Sequence, residues 1–143
     1  MPCTMTNRGL HTLLNSAISG STDIRMAVFK GTVPSVASMR DMNFLSELTA
    51  VSTEAAAVGY SRADLASVTL TESDGSDNVT LTAAAPAWAG VAVGETWTHV
   101  AYYIEEASDA ARILLCVDDP ASDLVTNGGN VTGPALSITV TGS

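Results

Sequence analysis

Few side chains in this 143-residue chain are able to do chemistry, and they are poorly grouped. His11 and His99 are the available bases, and Cys3 and Cys116 the available thiols. Nucleophilic catalysis needs a Ser or Cys beside a base, often on a Gly-x-Ser-x-Gly turn. The sequence has no such turn; His11 falls on the polar side of an expected helix, and His99 falls in mid-strand. With Trp97 and Tyr103 at the same strand parity, His99 reads as a packed core or interface histidine. Asp118, Asp119 and Asp123 are close in sequence, as are Asp74, Asp77 and Asn78. Neither set has the EF-hand spacing, and both read as turns whose Asp side chains bond their own backbone. Gly128-Gly129 lacks the Lys-Ser/Thr and helix of a phosphate loop. These residues imply no catalysis, no metal and no cofactor.

Composition narrows the partners. Fifteen acids stand against five Arg and one Lys, for a net charge of −9. Nucleic acid binding needs clustered cations, and so does an anionic membrane surface, so neither is expected. Charged residues make up 15% of the chain, against about 25% in a typical soluble protein. That deficit suggests that part of the surface is covered by other subunits. No apolar run approaches the roughly 18 residues of a membrane span, and no secretory leader pattern opens the chain. Cys3 and Cys116 lie far apart in sequence, so Cys116 reads as a buried thiol and both cysteines are expected to be reduced.

These side chains must be positioned by a β framework. Its centre is Trp97–Ile104, which is rich in β-branched and aromatic residues and apolar at both parities. Trp97, Ala101 and Tyr103 are expected on one face, and Val100, Tyr102 and Ile104 on the other. Such a strand lies mid-domain or faces a partner subunit. Before it, Leu10, Leu13, Leu14, Ala17 and Ile18 mark one stripe of an amphipathic helix over 7–18. A strand is expected over 23–29 and a second helix over 41–50, capped by Asp41. The Ala55–Gly59 link fits helix or loop. Residues 60–71 alternate with one slip, which predicts a bulge at Ala66-Ser67. A turn on Asp74-Gly75 closes a hairpin with Val79, Leu81 and Ala83. Strands over 111–117 and 136–141 follow, separated by the turn Asn127–Asn130. Six or seven hairpin-linked strands predict one mainly β domain over 1–143. The expected architecture is an antiparallel β-sandwich, Ig-like or jelly-roll-like, with residues 1–58 as a partly helical N-terminal segment.

The order of several short motifs carries a resemblance. Leu13-Leu-Asn15, Gly59-Tyr-Ser-Arg62, Trp97-Thr-His-Val100, Leu114-Leu115 and Gly133-Pro-Ala-Leu-Ser-Ile-Thr139 follow one another across residues 10–140. That order resembles small structural virion proteins of tailed bacteriophages. The chain departs from the pattern in Gly-Pro-Ala before the last strand and in an insert around 32–58. The resemblance implies a virion structural protein, best read as a capsid decoration (cement) or minor capsid protein. The alternative is a tail, collar or fibre component with a glycan-binding role. It implies partners in copies of the chain itself, with a trimer at a symmetry axis, and in a neighbouring virion protein such as the major capsid protein. Assembly in the bacterial host cytoplasm and a final location in the virion follow. It offers no catalytic residues. The candidate interface residues are Leu10, Leu13, Leu14, Arg62, Trp97, His99 and Tyr103.

Overall fold

The computed structural model describes residues 4–5, 23–76 and 78–141. The expected helix over 7–18, with Leu10, Leu13 and Leu14, lies outside the described residues. The fold is mainly β, with antiparallel sheets and few helices, as the alternation predicts. Six strands of five residues or more carry it: β2 (Ile24–Lys30), β5 (Thr69–Ser73), β6 (Asn78–Ala83), β9 (His99–Ile104), β10 (Ile113–Asp118) and β13 (Leu136–Thr141). Two-residue strands fill the joints: β1 (Thr4–Met5), β3 (Thr53–Glu54), β4 (Ala63–Asp64), β7 (Ala87–Trp88), β8 (Thr96–Trp97), β11 (Leu124–Val125) and β12 (Val131–Thr132).

The larger sheet runs β1-β10-β9-β2-β3, with β4 also on β2, and the smaller runs β13-β6-β5. They share one apolar cluster. Ile24, Met26, Val28, Val100 and Tyr102 from the larger sheet meet Leu81, Ala83, Leu136 and Ile138 from the smaller. The pairs β8–β11 and β7–β12 close one side and bring Trp97, Trp88 and Val131 into the same cluster. On β13 the residues alternate between buried and exposed, as expected of a strand with one wet face.

The other face of the larger sheet is covered by helices. Val36–Asp41 forms α1 and Leu45–Val51 forms α2. Met39, Met42, Leu45 and Leu48 pack on Ala27, Phe29, Ala101, Tyr103, Leu114 and Val117. The single helix expected over 41–50 is therefore two, and Asp41 ends the first rather than capping the second. Glu47 explains the break. Its carboxylate accepts the backbone N–H groups of Asn43 (2.5 Å) and Phe44 (2.8 Å), so 43–44 stay extended and α2 starts afresh. The first N–H groups of α2 are satisfied by the 109–112 turn, Leu45 donating to Arg112 O and Ser46 to Asp109 O.

Three local features depart from simple alternation. The slip near Ala66-Ser67 is a crossing point, where the chain leaves β4 on the larger sheet and enters β5 on the smaller. Ser67 makes the turn with a φ of 55°. Trp97 points to the same cluster as Val100 and Tyr102, not with Ala101 and Tyr103 as parity suggested. The strand breaks at Thr98, whose N–H bonds Phe29 O, and this shifts the parity by one. The third is Cys116, expected as a thiol but disulfide-bonded. The only other cysteine of the chain is Cys3. Sequence separation misled here, because β1 pairs beside β10 with Met5 opposite Cys116 and Thr4 opposite Val117.

Candidate interaction surface

The structure takes Trp97, His99 and Tyr103 out of the expected interface. All three are buried within the chain, at 1%, 0% and 0% exposure. The reason is the helical layer. The second apolar face of the central strand, assigned from sequence to a partner subunit, meets α1 and α2 instead. Trp97 stands edge-on to Trp88 and Tyr60, with ring centres 5.4 Å away in each case. Its indole N–H donates to Glu95 Oε2 at 2.9 Å. Trp88 is also buried and donates to Ser61 O at 2.7 Å. Neither tryptophan offers a face on which a sugar could stack.

Arg62 is half-buried and fully engaged. Its guanidinium forks to Glu54 through Nε and Nη2, both at 2.8 Å, and to Asp109 at 2.6 and 2.9 Å. Arg112 joins Asp109 (2.7 Å) to Glu105. Both guanidinium groups lie over the Tyr103 ring, 5.7 and 5.8 Å from its centre. The Glu54 and Asp109 carboxylates hold Arg62 charged, and Arg62 in turn holds the Asp109 carboxyl at about 2. Arg62 thus locks β4 to β3 and to the turn before β10. It has little capacity left for a partner.

His99 has wiring that resembles an activated serine. Its Nδ1 lies 2.8 Å from Thr98 Oγ1, and its Nε2 lies 3.1 Å from Ser52 Oγ. Thr98 donates its own hydroxyl proton to Gly31 O at 2.9 Å. Thr98 therefore accepts from Nδ1–H, and Nε2 accepts from the Ser52 hydroxyl. Burial pushes the His99 pKa down, keeping the ring neutral. Yet Ser52 ends α2, with its N–H on Leu48 O, where the helix dipole opposes a developing alkoxide. The ring is stacked on Phe29 at 5.5 Å and wholly enclosed. The arrangement ties α2 to the sheet. Among the described residues no group of three His, Cys, Asp or Glu is placed to hold a metal ion.

An uncharged surface lies on three segments that the sequence did not mark as an interface. Residues 55–60, 89–94 and 124–130 contain no Asp, Glu, Lys or Arg. They carry three of the most exposed large apolar side chains: Val58 (80%), Val93 (69%) and Val125 (64%). The loops are stitched together. Ala92 N–H donates to Val58 O, Val91 N–H to Gly129 O, Gly128 N–H to Val91 O and Thr126 N–H to Glu95 O. Gly90 N–H donates to Asn130 Oδ1 at 3.2 Å. Gly59 sits at φ 94°, and a Cβ there would lie 2.9 Å from Gly90 O, so glycine alone permits the two loops to touch. Beneath them, Glu95 accepts from Lys30, from the Trp97 indole and from Ala56 N–H at 3.2 Å. Burial raises its pKa, but these donors outweigh burial and hold it at about 2. The available signal in the sequence was the absence of charge, not any motif. The chain matches no protein-family model, no curated protein and no solved structure.

Proposed function

We propose that the protein is a structural component of a bacteriophage virion, a capsid decoration or minor capsid protein that acts by protein–protein contact. The observation that carries this reading is the rigid, charge-free loop cluster with Val58, Val93 and Val125 exposed. Exposed apolar side chains on hydrogen-bonded loops are a common feature of interaction sites. Two further features support it. The motif order from Leu13-Leu-Asn15 to the last strand resembles small phage virion proteins. The disulfide at Cys116 suits a particle that leaves the reducing cytoplasm for the medium. Its partners are copies of itself and a neighbouring shell protein. The glycan-binding reading loses its platform, because Trp88 and Trp97 are core residues.

The test is reconstitution. Purified chain is added to particles that lack it, and the particles are separated from free protein. Saturable binding at a fixed copy number per particle is the expected outcome. A chain that binds neither shells nor tails, or one that turns over a substrate, overturns the reading.

A further inference from the structure

We infer that Asn127-Gly128 is a deamidation site controlled by the fold: the packed loops hold the attacking backbone nitrogen, and their opening releases it. The sequence supplies the reactive pair. Asn127-Gly128 is the chain's one Asn-Gly step, and the chain has no Gln. Glycine after Asn leaves the backbone nitrogen unhindered and able to turn toward the preceding side chain. Asn130 is a poorer substrate, because the β-branched Val131 crowds the nitrogen that follows it. In the reaction Gly128 N loses its proton to base and bonds to Asn127 Cγ. The Cγ–Nδ2 bond breaks, the side-chain nitrogen takes up a proton and leaves as ammonia, and a five-membered succinimide remains. Water then opens either carbonyl of that ring, giving an aspartyl or an isoaspartyl link at position 127. Both products put a carboxylate on a segment, 124–130, that has no charged side chain.

The structure decides when this can happen. Asn127 is exposed, so water and base reach it. The nucleophile is not free. Gly128 N–H donates to Val91 O at 2.9 Å, which holds the proton that must come off. Asn127 Oδ1 accepts from Gly129 N–H at 2.9 Å, which fixes the side-chain amide. Val91 is fully buried, in the cluster that contains Trp88 and Trp97, and its own N–H donates to Gly129 O. An acceptor anchored in the core cannot follow a moving turn. Gly128 N is therefore released only when 127–130 parts from 89–94. Two further contacts oppose that parting. Gly90 N–H donates to Asn130 Oδ1 at 3.2 Å, and Gly59 packs against the backbone of 89–91.

The test compares the folded and unfolded full chain in mildly alkaline buffer, without and with concentrated urea. Peptide mass spectrometry follows each Asn, and NMR follows exchange of the Gly128 amide. Position 127 should react first in urea, and at least about tenfold more slowly in the folded chain. Asn130→Ala and Gly59→Ala should each speed Gly128 exchange and deamidation at 127 in parallel, by at least about threefold, and leave the urea rate unchanged. Two variants on different segments keep the comparison if one fails to fold. Gly128→Ala, read in urea where the folded φ no longer matters, should slow the reaction at least about fivefold by hindering the nitrogen. Equal rates in the folded and unfolded chain overturn the inference, as does another Asn reacting first in urea. A urea rate insensitive to Gly128→Ala overturns the route through that nitrogen. Faster Gly128 exchange without faster deamidation, or no change in exchange in either loop variant, overturns the control by the loops.

Discussion

Among the described residues, the buried Tyr103 hydroxyl has no hydrogen-bond partner. An unpaired buried hydroxyl costs free energy, because water satisfied it before folding. The ring is well used, packed among Ala101, Leu114 and Phe29 under two guanidinium groups. Tyr103→Phe keeps the ring and removes the orphan, so it should leave the fold unchanged or up to about 1 kcal/mol more stable in urea unfolding. Tyr60→Phe is the contrast. The Tyr60 hydroxyl accepts from Val28 N–H at 2.9 Å and donates to Glu54 at 3.0 Å. Its loss strands a strand N–H and should destabilise by about 1–2 kcal/mol. A larger loss from Tyr103→Phe than from Tyr60→Phe would refute this assignment.

Among the elements, the loops matter as much as the strands. The loop from β3 to β4 reaches the 89–91 segment only because residue 59 has no Cβ. Gly59→Ala faces two penalties, a left-handed φ of 94° and a contact of 2.9 Å with Gly90 O. Its three nearest neighbours, Gly90 O, Val91 Cα and Ala89 O, are all backbone and cannot move aside as a flexible side chain can. The substitution should cost about 2 kcal/mol in denaturant unfolding and loosen the loop cluster, seen as faster amide exchange at Ala92. At Gly75, where a Cβ meets nothing within 4 Å and φ is not positive, the same change should be close to neutral. Equal effects at the two glycines would count against the close approach.

For the whole molecule, Glu95 is the tie that makes stability depend on pH. It joins Lys30 on β2, Trp97 on β8 and Ala56 in the loop, and its own backbone bonds Thr126 after β11. Folding lowers its pKa from 4.5 to about 2. The charged form is favoured by the fold, so its contribution is full above about pH 4.5 and is lost as pH falls toward 2. Asp109, lowered from 3.8 to about 2 by Arg62, adds in the same direction. Thermal melts should show stability falling over this window, with about 2–3 kcal/mol traceable to Glu95. Glu95→Gln should lose about 2 kcal/mol at neutral pH and flatten the acid limb. An acid limb unchanged by the substitution would remove Glu95 from this role.

Alternation and turn residues determined the β class locally. The hairpin around Asp74-Gly75, the last strand with its wet face and the strand from Ile24 follow from period-2 patterning and breakers alone, since each is decided by near neighbours. Composition likewise determined that the chain has few charges. What covers an apolar face is a different question, because period and parity say that a face is buried but not by what. Only tertiary packing decided that α1 and α2, rather than a second subunit, cover Ala101 and Tyr103. Only the pairing of β1 with β10 brought Thr4 and Met5 beside Val117 and Cys116. Arg62 looked free because its partners, Glu54 and Asp109, are 8 and 47 positions away. Val58, Val93 and Val125 gave no periodic signal, lying on three separate segments, Val125 at the end of the two-residue strand β11. Hydrogen bonds between distant backbones gather them, and no local pattern encodes such bonds.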